Sequence, residues 1–119
     1  MPSIRFIPLN LHGILDYAVA ATLIAAPFVL DFAMVSPFAH WFSIVAGAGL
    51  VAYSLLTDYS LSARAVISFR IHLALDFIAG AAFVVAPFAA GFDGAVRWFY
   101  LVVGAAVMAV VLTSKLDKT

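Results

Sequence analysis

One long segment of the chain occurs twice, and both copies are apolar enough to enter a bilayer. Residues 11–32 (LHGILDYAVAATLIAAPFVLDF) and 71–92 (IHLALDFIAGAAFVVAPFAAGF) align without a gap. His12/His72, Leu15/Leu75, Asp16/Asp76, Ala21/Ala81, Ala26/Ala86, Pro27/Pro87, Phe28/Phe88 and Phe32/Phe92 are identical. The segments after them repeat as well. His40 to Thr57 (HWFSIVAGAGLVAYSLLT) matches Arg97 to Ser114 (RWFYLVVGAAVMAVVLTS), with Trp41/Trp98, Phe42/Phe99, Gly47/Gly104 and Ala48/Ala105 among the identities. The first internal loop is three residues longer than the second, which accounts for the change in offset. The chain therefore reads as two copies of one helix–loop–helix unit. The first apolar segment is therefore expected to be half of that fold and to be retained rather than removed as a leader.

Composition decides the solvent. Of 119 residues, 66% are hydrophobic and 10% charged, with a mean hydropathy of +1.17. Soluble chains are about half apolar and a quarter charged, so this one cannot cover its surface with polar groups in water. The expected fold is all-α: a four-helix transmembrane bundle with spans at about 10–30, 39–57, 70–90 and 96–114, each near the ~20 residues that cross a hydrocarbon core. It forms a single membrane domain over 1–119, with repeat 1 at about 10–57, repeat 2 at about 70–114 and a linker at about 58–69. No segment alternates with period two, which argues against barrel strands. The linker stretch SLSARAVISFR reads as a short interfacial turn.

The basic residues set the expected orientation. Arg5, Arg64, Arg70, Lys115 and Lys118 fall on one side and Arg97 on the other, which places both termini and the linker in the cytoplasm. The repeats then enter in the same direction and are related by a pseudo-two-fold axis along the membrane normal. Pro27 and Pro87 are expected to kink or end their helices. Phe28, Phe88, Trp41 and Trp98 form an aromatic belt beside them. The small residues Ala46 to Gly49 and Gly104 to Ala106 serve helix packing, within the chain or in an oligomer.

Net charge is zero and all six acids are Asp, so nucleic acid is not an expected partner. The absence of cysteine removes disulfides and thiolate chemistry. No Gly-rich phosphate loop, HExxH or GxSxG occurs, so no enzyme is expected.

The chemistry concentrates in the duplicated His-x-x-x-Asp. A spacing of four places His12 over Asp16 and His72 over Asp76 on one helical face. The stripes continue with Ala20 and Leu23, and with Gly80 and Phe83. An Asp about 9 Å inside a span, at 1.5 Å per residue, must be paired, protonated or wetted. In an up-down-up-down bundle the first and third helices are diagonal partners, and both stripes can point at the axis. His12, Asp16, His72 and Asp76 would then form a Zn²⁺- or Mn²⁺-type metal set, or a proton-exchanging cluster. Against this stands a plain structural reading, equally weighted: each Asp hydrogen-bonds its own His and anchors the helix end at the headgroups, with Arg70 joining in. A bis-His haem between His12 and His72 requires a gap of haem width. His40 reads as a lone interfacial histidine, and Thr57 to Ser60 as a helix exit.

The (Ala/Ser)-Pro-aromatic tripeptide closing the first helix of each pair, the LTDYSLS segment and the duplicated hairpin together resemble the SPW-repeat family of small bacterial membrane proteins. This chain reads Ala-Pro-Phe at 26–28 and 86–88 in place of Ser-Pro-Trp. The resemblance implies the topology and an inner-membrane location, and supplies no mechanism. Three functions remain: a non-enzymatic structural or partner-binding module carrying a cation or proton site; a small ion- or proton-coupled transporter or channel, which at this size needs a homo-oligomer; and a haem-binding electron carrier. Lipid is the one certain partner, beside a homo-oligomer or membrane-protein partner.

Overall fold

The computed structural model describes residues 4–59 and 61–116. Ser60 and Lys118, used above in the linker and in the charge count, lie outside them. Four helices run Leu9–Val29 (α1), Pro37–Leu55 (α2), Phe69–Ala90 (α3) and Gly94–Thr113 (α4). Each has 19 to 22 residues and is long and apolar enough to cross a membrane, at about 30 Å by the 1.5 Å rise. Among the described residues the strand-type pairing is limited to two isolated bridges, Ile7–Ser114 and Thr57–Ile67.

The helix ends follow from local chemistry. α2 begins two residues before the expected 39, because Ser36 accepts a hydrogen bond from the Ala39 N–H (3.2 Å) and Pro37 occupies the first turn, where it lacks nothing. Ser68 caps α3 in the same way through Ile71. Gly91 ends α3 at φ 75°, and its counterpart Asp31 adopts φ 53°, a left-handed conformation that Asp tolerates better than most side chains. The three extra residues of the first loop follow Phe32, and the chain makes a 3-10 turn there over Phe32–Met34.

Pro27 and Pro87 lie inside their helices, which end within three residues of them. Pro27 leaves the Leu23 carbonyl without its helical donor, and the Ser43 hydroxyl of α2 donates to it at 2.7 Å. The following aromatics are exposed and cover the next helix: Phe28 meets His40 edge-on at 5.0 Å, and the Arg97 guanidinium sits over Phe88 at 4.9 Å. Trp41 and Trp98 are exposed beside them, completing the aromatic belt.

Helices approach closely within each copy. A Cβ on Gly47 would lie 2.9 Å from the Ala20 carbonyl, and one on Gly104 only 2.7 Å from that of Gly80. The backbones of α1 and α2, and of α3 and α4, are thus in contact, as lipid-embedded helices require. Of the small residues, Gly47 and Gly104 serve these contacts inside the chain, whereas Ala48, Gly49, Ala105 and Ala106 are exposed.

The two copies meet at both ends. At the α2/α4 N-terminal end, Phe32, Phe83, Phe92 and Phe99 pack around Tyr100, whose hydroxyl donates to the Ala39 carbonyl at 2.6 Å. At the other end each copy closes the other's helix. The segment before α1 donates from Phe6 and Ile7 to Thr113, while Arg5 reaches the Val111 and Ser114 carbonyls. The linker before α3 begins with a turn in which the Ser62 N–H donates to the Tyr59 carbonyl at 3.2 Å. It runs back along α2 and donates from Ala63, Arg64, Val66 and Ile67 to the Leu55 and Leu56 carbonyls. Terminal carbonyls that water would satisfy in a soluble protein are satisfied here by chain.

Candidate cation site

The stripes predicted from spacing are the buried faces of α1 and α3. His12, Asp16, Ala20 and Leu23 are buried on one, and His72, Asp76, Gly80 and Phe83 on the other. They converge. His12 Nε2 lies 3.2 Å from Asp16 Oδ1 and 3.0 Å from Asp76 Oδ2. His72 Nε2 lies 2.9 Å from Asp16 Oδ2 and 3.2 Å from Asp76 Oδ2. Each imidazole therefore faces both carboxylates, its own and the other copy's. One donor atom from each of the four residues falls within 4.8 Å of all the others. Both histidines are fully buried, so they do not reach the headgroups as the anchor reading required, and Arg70 is exposed on the outside of α3.

The far side of each ring fixes its protonation. His12 Nδ1 lies 2.7 Å from Ser114 Oγ, and His72 Nδ1 lies 2.7 Å from Thr57 Oγ1. Each hydroxyl has one hydrogen, and each stands 2.6 Å from a backbone carbonyl, Val110 for Ser114 and Tyr53 for Thr57. A carbonyl can only accept, so the hydroxyl hydrogens go there and the hydroxyl oxygens accept from Nδ1–H. Both Nε2 atoms are left to face the carboxylates, either as bare lone pairs or as the second N–H of imidazolium. The His72 Nε2 is buried and near two carboxylates, yet is aligned for a hydrogen bond with neither.

The carboxylates are held from behind by phenols. Tyr53 donates to Asp76 Oδ1, and Tyr59 donates to Asp16 Oδ2 at 3.0 Å. Burial holds the Tyr59 phenol above its ordinary pKa, so it remains a donor. Phe69 and the tyrosine rings wall the site, with Phe69 edge-on to His12 at 4.9 Å and Tyr53 to His72 at 4.8 Å.

Two neutral imidazoles and two carboxylates carry a charge of −2 in a water-poor interior, which calls for a cation. The donor set suits a borderline divalent metal. Tetrahedral ligands at ~2.0–2.1 Å from zinc stand about 3.3 Å apart, and the N–O separations here are only slightly shorter. Two protons on the two Nε2 atoms would neutralise the same charge. Haem does not fit. The two rings are in edge contact, with centroids 5.4 Å apart, and the carboxylates occupy the side an iron would need.

Sequence reasoning missed Ser114 and Tyr53, and gave Thr57 and Tyr59 only places in a helix exit. His40 is buried at the opposite end against Phe28 and Trp41, apart from the site.

Fold and site define a multi-pass membrane protein built from a duplicated helical hairpin, with two histidines and two aspartates gathered where the copies meet. Residues 10–114 match the family model of the SPW repeat domain, and the chain belongs to that family. No curated protein and no solved structure matches it.

Proposed function

We propose that the protein is a non-enzymatic membrane module in which a divalent metal ion, held by His12, Asp16, His72 and Asp76, joins the two repeats. The observation that carries this reading is the fully buried His72 Nε2. Its Nδ1–H is committed to Thr57, and it stands among carboxylate oxygens without an aligned hydrogen bond. A hydroxyl or carboxylate on one ring nitrogen and a metal on the other is the usual arrangement of a ligating histidine. For zinc, four protein donors leave no open coordination position, which is the form of a structural rather than a catalytic site. Zinc or manganese matches the donor set.

The excess of basic residues at the chain ends and linker supports cytoplasmic termini, and the likeness to the SPW-repeat family supports a bacterial inner-membrane location. The site then lies toward the cytoplasmic face. The test is elemental analysis of protein purified in mild detergent without chelator, beside the His12→Ala/His72→Ala variant. One equivalent of metal in the parent and none in the variant is the expected result. A metal-free parent that also fails to take up added zinc or manganese rejects the reading in favour of a proton-sharing cluster.

A further inference from the structure

Between the cation site and the aromatic end the two copies stand apart. They leave a cavity of about 490 Å³ lined by all four helices, within the ~300–1,000 Å³ typical of small-molecule sites. Leu15, Val19, Leu50, Val103 and Val107 are among its walls, and Asp16, Asp76 and Tyr53 form its one polar end. Ala18, Thr22 and Val102 also line it and are exposed, so it opens sideways between the copies. A Cβ added at Gly49 would meet no atom within 4 Å, which marks free space at the wall.

The polar end only accepts hydrogen bonds. The Tyr53 hydrogen goes to Asp76, the Thr22 hydroxyl donates to the Ala18 carbonyl at 2.9 Å, and no Lys, Arg, Asn or Gln lines the cavity. A phosphate or carboxylate head would find two carboxylates and no donor. An ammonium head would find acceptors of opposite charge, and an alkyl tail would find aliphatic walls.

We propose that this cavity binds a lipophilic ammonium ion, with its head at Asp16 and Asp76 and its alkyl chain along the cavity toward Phe83. The proposal rests on the carboxylate end of the cation site but not on that site's holding a metal. Metal and ammonium answer the same negative charge and compete for it.

The test uses the full chain in phosphatidylcholine nanodiscs, stripped with chelator and titrated calorimetrically with dodecylammonium, with dodecanoate as the anionic probe and empty discs subtracted. Saturable one-to-one binding of the amine and none of the carboxylate is expected. Gly49→Leu fills the cavity without touching the site and should weaken amine binding by roughly tenfold or more. Ala106→Leu, from the opposite wall, should do the same. Cooperative thermal unfolding at or near the parent's melting temperature shows that these variants are folded. Absence of saturable amine binding, equal binding of dodecanoate, or binding indifferent to both filling variants overturns the proposal. Zinc that displaces the amine supports it together with the metal reading. Amine binding that zinc leaves untouched refutes the competition, and with it the metal reading, while zinc bound without amine refutes the cavity ligand alone.

Discussion

Replacing Thr57 by Val tests the logic of the site at one atom. The two side chains are nearly isosteric, so packing is retained and the hydroxyl alone is lost. Two contacts go with it: the donation to the Tyr53 carbonyl at 2.6 Å and the acceptance from His72 Nδ1–H at 2.7 Å. Thr57 is fully buried, so no water replaces them, and an orphaned buried donor costs about 1–3 kcal/mol. If Nε2 binds a metal, the lost hydroxyl also frees the ring to turn and lowers its basicity. Loss of such an outer partner typically reduces metal affinity ~10–100-fold, which is ~1.4–2.8 kcal/mol and agrees with the hydrogen-bond figure.

The assay is zinc competition against a chromophoric chelator in detergent, run beside thermal unfolding with and without metal. Ser114→Ala should behave like Thr57→Val, because Ser114 makes the equivalent contacts to His12 and Val110. Thr57→Ser should restore the parent, since a serine already does this work at 114. A Thr57→Val protein whose zinc affinity stays within about twofold of the parent would show that the hydroxyl only closes the helix end. The tautomer argument would then fail.

The remaining predictions address other parts of the molecule. Gly104→Ala forces a Cβ to within 2.7 Å of the Gly80 carbonyl and 3.0 Å of the Val84 nitrogen and should lower stability by about 1–3 kcal/mol. Gly49→Ala meets open space and should be neutral or raise stability by up to ~1 kcal/mol through helix propensity; unfolding in mixed micelles reads both. Ser43→Ala strands the Leu23 carbonyl that Pro27 leaves bare and should lower stability by roughly 0.6–2 kcal/mol in the same assay. Chelation of the metal-loaded parent should lower its melting temperature, and the Asp16→Asn/Asp76→Asn variant should show no such shift.

How much of this was legible beforehand depended on chain distance. The helices were readable because each carries its own evidence in some 20 apolar residues, and Pro27, Gly91 and Ser68 act locally. The His/Asp cluster was readable for a different reason: the pair occurs twice, and two copies inserted alike bring equal depths together. Thr57 and Ser114 were hidden because each serves a histidine on the other copy, 15 and 102 residues away. Their alignment as a Thr/Ser match at the end of α2 and α4 was the available signal. Tyr53 was hidden more deeply, because the aligned position in the second copy is Val110 and the repeat comparison discounts it. The linker's return along α2 was not legible, because its sequence shows residue types but not that α2's last carbonyls need donors.

That Tyr53/Val110 mismatch is also where the two halves of the site part company. Asp76 receives its phenol from α2 of the first copy. Asp16 can take nothing from Val110 and receives Tyr59 from the linker instead. The consequence is a difference in how the carboxylates face the imidazoles. Asp76 has Oδ1 committed to Tyr53 and presents Oδ2 alone to both histidines, whereas Asp16 offers Oδ1 to His12 and Oδ2 to His72. If the site holds a metal as proposed, Asp76 would present one oxygen to it, whereas Asp16 would present Oδ1 free of a phenol and Oδ2 shared with Tyr59. A perfectly repeated site would hold its cation on the axis between identical halves. This one has phenols only from the first copy and the linker, so the repeated His/Asp pairs supply four like side chains and the unrepeated phenols give the two carboxylates unequal surroundings.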